Sequence, residues 1–181
     1  NNTSIASNLT QIEPSVKLDQ ETIEKIKSLK EETNCNQNQD LWILRDLFHY
    51  KKELKYLSIY PNENYNQLLD SYDWKGITIN NVNQLKSCIK DIQNTYFPIT
   101  NNVKYYKHIN FLNISKRPDI LEQLIEKYLF DVIIINYKNN KNFRESCKKI
   151  LQPRGMILTK ILNNEDCYLS QDFLLPYNFT R

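Results

Sequence analysis

The sequence predicts an α/β fold: a doubly wound, mostly parallel sheet with helices on both faces and a helical extension at the amino end. Three observations carry this. Short apolar runs alternate with segments whose apolar residues recur at helical spacing, in the order helices, then β-α-β-α-β-α-β-α-β. The run FDVIII at 130–135 has an almost continuous apolar character, as expected of a strand buried on both faces in a parallel sheet. A second such run, MILTKIL at 156–162, follows a helix-length segment that stops at Pro153 and Gly155.

Taken in order, residues 1–17 are polar and mixed and read as a loose arm. Residues 19–33 read as a helix, with Ile23, Ile26 and Leu29 on one face and Glu/Lys pairs on the other. After the polar break NCNQNQD, a second helix is expected over 40–54 with Asp40 as its cap. Strands are then expected at 56–60, 74–79, 104–114, 130–135 and 156–162. Helices are expected between them at 65–72, 82–92, 118–129 and 142–151, with Pro118 in a first turn, where proline is tolerated. Residues 167–175 read as one or two short edge strands. The division this gives is an arm and helix over 1–40 and an α/β domain over 41–181. In such a fold the working edge lies at the carboxyl ends of the strands.

A chain of 181 residues and 21.7 kDa has room for one domain with its own core. Its net charge is only +3, which excludes a strongly basic nucleic-acid arm and an acidic tail. No run approaches the roughly 18 apolar residues that a membrane helix needs, so no membrane partner is expected. Asn occurs 24 times, Lys 19 times and Tyr 12 times, against two Gly and a single Ala. That surplus reflects A/T-rich codons and would suit a viral or protist source. The scarcity of glycine is more telling, because a Gly-rich phosphate or cofactor loop has only Gly76 and Gly155 to draw on. The four cysteines are far apart, with no C-x-x-C and no His at zinc spacing, so no metal site is expected. Reduced thiols in an intracellular, cytoplasmic chain are the expectation, with two disulfides in a secreted one the alternative. The first residue is Asn1, not Met, which fits a processed product, a fragment or part of something longer.

The segment FDVIIINYKNNKNFRESCKKILQPRGMILTKI resembles the fourth and fifth strands of S-adenosylmethionine-dependent methyltransferases, with their "fDvI" strand, helix and "LkpGG" turn. Within that superfamily the chain is most similar to FtsJ-like, cap-type RNA 2′-O-ribose methyltransferases. RGMILTKILNNE (154–165) resembles "GGxxxxKxFxxxE", GITINNVNQLK (76–86) resembles "GfGiTLkgpndfk", and LNISKRPDI (112–120) resembles "GDITrpeNi". The likeness spans about residues 51–165 and implies a Rossmann-like methyltransferase fold.

That family aligns a ribose hydroxyl with the sulfonium methyl by a Lys-Asp-Lys-Glu tetrad. By position, the resemblance puts the first lysine at Lys52 or its neighbours Lys51 and Lys55, the aspartate at Asn136 and the second lysine at Lys160. The cofactor positions fall at Tyr60, Asn62, Asn64, Asn80 and Asn113. An amide therefore stands where the tetrad needs a carboxylate. Ser58-Ile59-Tyr60-Pro61-Asn62-Glu63-Asn64-Tyr65 stands where a Gly-rich turn should admit the cofactor. Tyrosines interleaved with lysines, at Lys104, Tyr106, Lys107, Tyr137 and Lys138, are candidates for stacking bases and contacting phosphates. The expectation is a degenerate methyltransferase-like domain with no cofactor, acting as a scaffold or RNA-binding part of a larger RNA-modifying or capping assembly. An active enzyme that binds S-adenosylmethionine through an atypical loop, and a pure protein-interaction domain, are the alternatives.

Overall fold

A computed structural model describes residues 20–21, 23–24, 33, 35–81, 85–97 and 107–175, without the side chains of residues 85, 86 and 88. The chain divides into two units, Asn1–Glu32 and Thr33–Arg181. In the first, only Gln20, Glu21, Ile23 and Glu24 of the helix expected over 19–33 are described, and all four are helical. The arm expected over 1–17 lies outside the described residues.

The second unit begins with helix α1, a short α-helical turn (Gln39–Leu41) that widens into a π-helical one (Trp42–Leu47). The widening is visible in the bond from Phe48 N–H to Ile43 O at 3.0 Å. The helix ends well short of residue 54, because His49 and Tyr50 take positive φ and an irregular link, with Glu53 also at positive φ, leads to the first strand. Asn38, not Asp40, holds the cap position, with Asp40 inside the first turn. The remaining elements are β1 (Lys55–Ile59), α2 (Asn66–Ser71), β2 (Lys75–Ile79), α3 (Leu85–Tyr96), β3 (His108–Ser115), α4 (Pro118–Lys127), β4 (Leu129–Asn136), α5 (Lys141–Leu151), a 3₁₀ turn (Gln152–Arg154), β5 (Met156–Leu162), β6 (Glu165–Ser170) and α6 (Gln171–Leu174). The alternation of strands and helices is thus as the apolar pattern predicts through β5.

The six strands form one sheet in the order β2-β1-β3-β4-β6-β5. β2, β1, β3 and β4 run parallel, while β6 is antiparallel to both of its neighbours. This is a Rossmann-like α/β fold. Two expectations change here. The last segment is not an edge strand. It folds back through the two-residue Asn163-Asn164 turn and inserts between β4 and β5, where all but Ser170 of its residues are buried. That insertion pushes β5 to the edge, so the apolar run MILTKIL is exposed at alternate positions, with Ile161 60% exposed. A run of apolar residues reports burial only if the sheet continues on both sides.

Leu57, Ile59, Ile79, Leu112, Ile114, Ile133, Ile135 and Tyr168 line one face of the sheet, packed with Ile92, Leu121, Leu124, Phe143 and Leu151 from α3, α4 and α5. The other face carries Ser58, Phe111, Asn113, Asn136 and Glu165, covered by α1, Tyr65 and α2. The Tyr65 and Phe111 ring centroids lie 5.5 Å apart. Gly76 sits opposite Tyr56 across β1 and β2, and a Cβ there would run into the Tyr56 ring. The topology reverses direction between β1 and β3, which places the crevice for a ligand of an open α/β sheet at the carboxyl ends of those two strands.

Candidate functional site

Strand pairing assembles the site. In the β4–β6 ladder Asn136 lies opposite Glu165, and in the β3–β4 ladder Ser115 lies opposite Asn136. Side chains two residues apart share a face. Ser58, Asn113, Ser115, Asn136 and Glu165 therefore form one polar band across β1, β3, β4 and β6. All five are buried.

Glu165 is the centre of the band and is 1% exposed. Tyr65 Oη donates to its Oε1 at 2.7 Å, Asn136 Nδ2 donates to the same oxygen at 3.0 Å, and Gln39 Nε2 donates to Oε2 at 2.8 Å. All three donors are neutral. Burial pushes the Glu165 carboxyl above its ordinary range, and the three hydrogen bonds pull it partly back. The Tyr65 hydroxyl is pushed well up, first by burial and then by the charge of Glu165. Lys160 lies opposite Cys167 and so on the same face as Glu165. Its ammonium sits over the Trp42 ring, 4.7 Å from the centroid.

The segment that precedes α1 closes this band at the carboxyl edge. Asn36 donates through Nδ2 to Glu63 Oε1 at 2.9 Å, and Asn163 N–H reaches Gln37 Oε1 at 3.4 Å. Gln37 N–H donates to Gln39 Oε1 at 2.9 Å, which fixes the Gln39 amide so that its Nε2 faces Glu165. Asn36, Gln37 and Gln39 of the polar break are thus a strap that ties the β1 exit to the β5–β6 turn.

At the β1–β3 crevice, Tyr60 leaves β1 with φ 50°, a left-handed conformation uncommon for a large side chain. Ser115 Oγ donates to Tyr60 O at 2.6 Å, and the Lys116 ammonium lies 5.7 Å from the Tyr60 ring centroid. β3 and β4 also leave through left-handed residues, Lys116 (φ 66°), Lys138 (φ 41°) and Asn139 (φ 64°). Tyr137 lies under the Arg144 guanidinium at 4.7 Å, and Arg144 itself makes paired bonds of 2.6 and 2.7 Å to the buried Asp166.

The other expected site residues are scattered. Lys52 is exposed before β1 and pairs with Asp73 at 3.8 Å, at the opposite edge of the sheet from Asn136. Lys107 is half-buried at the amino end of β3. Asn80 is exposed just beyond β2, and Asn64 is exposed, accepting from Gln67 N–H at 3.3 Å. Asn62 is half-buried. Asn113 is fully buried within β3, closed off from any ligand resting on the rim. Lys104 and Tyr106 lie outside the described residues. The residue before β1 that reaches Glu165 is therefore Gln39 on α1, not Lys51, Lys52 or Lys55. Glu165 closes the motif RGMILTKILNNE, although the sequence offers no clear counterpart for the tetrad glutamate and Glu165 was not among the expected site residues. Gln39 and Tyr65 carried no local signal, since they reach Glu165 from 126 and 100 residues away.

A cavity of about 840 Å³ opens at the amino-terminal edge, beside His108, Tyr128, Asp131, Arg154, Met156 and Phe173. None of the expected site residues lines it. Its His108 Nε2 and Asp131 Oδ1 atoms lie 2.8 Å apart, and Asn110 Nδ2 donates to Asp131 Oδ2 at 3.0 Å. Among the described residues no group of three or more His, Cys, Asp or Glu could hold a metal ion together, and no helix is long and apolar enough to cross a membrane.

These features define a Rossmann-like α/β domain with a buried polar band beneath its carboxyl edge. No protein family, curated protein or solved structure matches this chain.

Proposed function

We propose that this chain is a methyltransferase-like domain that does not transfer methyl groups and serves as a scaffold and RNA-binding part of a larger RNA-modifying or capping assembly. The observation that carries the reading is the neutral cage around Glu165. A catalytic tetrad of this family needs a lysine whose position and proton affinity are set by two carboxylates. Here one acid remains, Gln39 and Asn136 hydrogen-bond to it as amides, and the lysine on the same face turns to Trp42. With no lysine among the described residues hydrogen-bonded to the acid, the described cluster has no group to polarise a ribose hydroxyl. The crevice supports the same reading. Tyr60 and Pro61 occupy the turn that would admit a cofactor, and Ser115 takes up the Tyr60 carbonyl.

RNA contact is proposed for the rim, where Lys116 and Lys138 are exposed beside Tyr60 and Tyr137. Contacts of this kind are chiefly electrostatic and weaken steeply with salt.

Titration of the protein with S-adenosylmethionine, followed by calorimetry, tests the proposal. No saturable heat is expected up to millimolar concentration. Saturable binding at micromolar levels overturns it in favour of an active enzyme with an atypical loop. A gel shift with single-stranded and capped RNA at two salt concentrations tests the second half. Retarded bands at low salt are expected, and their absence leaves a protein-interaction domain as the reading.

A further inference from the structure

Two members of the polar band carry polar atoms with no hydrogen-bond partner among the described residues. Asn113 is 0% exposed, and neither its Nδ2 nor its Oδ1 makes a hydrogen bond to the described residues. Asn136 is 7% exposed, and its Oδ1 is likewise unpartnered although its Nδ2 is bound to Glu165. Leaving such atoms dry carries the full cost of stripping them of water, so proteins almost always satisfy them.

The register places these atoms together. Asn113 is opposite Ile134 on β4, two residues before Asn136, so the two amides share one face as a diagonal pair on neighbouring strands. Such pairs have their backbones about 7–8 Å apart, a gap that two inward-leaning amides and one bridging molecule span. Ser58 lies opposite Asn113 on β1, and Ser115 lies opposite Asn136 on β3. Each serine has committed its proton, Ser58 to Asn66 Oδ1 at 3.2 Å and Ser115 to Tyr60 O at 2.6 Å. Each still has lone pairs to offer.

The unmet demand has a definite chemistry. Two amide oxygens need donors and one amide nitrogen needs an acceptor. A cation satisfies the oxygens but repels the N–H group, and an anion does the reverse. A neutral molecule with two donors and two acceptors satisfies all three, and the site lies in a packed interior. We propose that the polar band contains an internal hydration site, in which one or two ordered waters bridge Asn113 and Asn136 beneath the β1–β3 crevice. Buried waters with two to four polar partners are ordinary in domains of this size. The inference does not depend on whether the domain once carried a catalytic tetrad.

A crystal structure of the unaltered protein at high resolution is the direct test. Solvent density within hydrogen-bond distance of Asn113 and of Asn136 Oδ1 is expected. Rotation of both amides onto protein partners, or no density between them, overturns the proposal. So does density that gains anomalous signal after soaking in thallium salt, which identifies a cation. Substitution Asn113→Leu supplies an independent reading. An amide held by water loses its partners when replaced, and the melting temperature is expected to fall by several degrees, on the order of 3 °C or more. An amide buried dry is relieved by the same substitution, and a rise in melting temperature overturns the proposal. Should the variant fail to fold, the crystallographic result on the unaltered chain still decides.

Discussion

Glu165 shows how one residue can hold a fold and limit it. Its carboxylate receives Tyr65, Gln39 and Asn136, which joins α1, the segment after β1, β4 and β6 at one point. Yet burial without a cation disfavours its charge, so its proton affinity is higher folded than unfolded. The sign follows. A raised acid binds more protons in the native state, so stability falls as pH rises from the ordinary glutamate range toward the raised value. Glu165→Gln is expected to remove that slope. Denaturant melts at a series of pH values between about 4 and 8 check this, and equal slopes in the two proteins would show that the acid titrates as if exposed. Asparagine matters at this scale too. With two glycines in the chain, left-handed positions fall to other residues, and Asn38, Asn139 and Asn164 take three of them. Asn tolerates that conformation better than most residues. The base-biased surplus of Asn thus found a structural use, while Tyr60 and Lys116 adopt the same conformation at some cost.

Among the elements, α5 shows local sequence acting unaided. Its entry, Tyr137–Asn140, is a tight turn through two left-handed residues, closed by Asn140 N–H on Tyr137 O at 2.6 Å. The Asn140 side chain then accepts from Phe143 N–H at 3.0 Å and caps the helix. Asn140→Ala is expected to destabilise the protein by about 1 kcal/mol, and Asn140→Asp to keep most of the stability, as read from urea midpoints. A neutral result for the alanine variant would show that water satisfies that helix end equally well. By contrast, α1 was legible as a helix but not in its length or form. Its apolar spacing continues to Phe48, whose ring packs against Trp74 and Phe173, with centroids 5.1 and 5.2 Å apart, where the chain turns away. β6 was misplaced for a related reason. It pairs with β5 across a two-residue turn, but its other neighbour, β4, lies beyond α5 and outside any local window.

At the scale of the whole molecule, burial sets cysteine chemistry. Cys35, Cys147 and Cys167 are free and buried, and burial pushes the Cys147 and Cys167 thiols up to about 12. Since the thiolate is the reactive form, these three are expected to react with a disulfide reagent at pH 8 at least about a hundredfold more slowly folded than in denaturant. Rapid labelling of Cys147 in the folded chain would contradict the packing of α5 on the sheet, and rapid labelling of Cys167 would contradict the burial of the polar-band face. The α/β class, the succession of strands and helices through β5, and the lack of a glycine turn at Tyr60 were legible in the sequence. Those depend on periodicity and residue type over a few positions. Only the tertiary structure decided that β6 runs antiparallel inside the sheet, that β5 is an edge, and that Gln39 and Tyr65 meet Asn136 at Glu165. Side-chain convergence at Glu165 depends on contacts between residues 29, 100 and 126 positions apart, and strand order on pairings across whole intervening elements. No local pattern encodes them, because each is chosen by which buried surfaces and polar groups can be satisfied together.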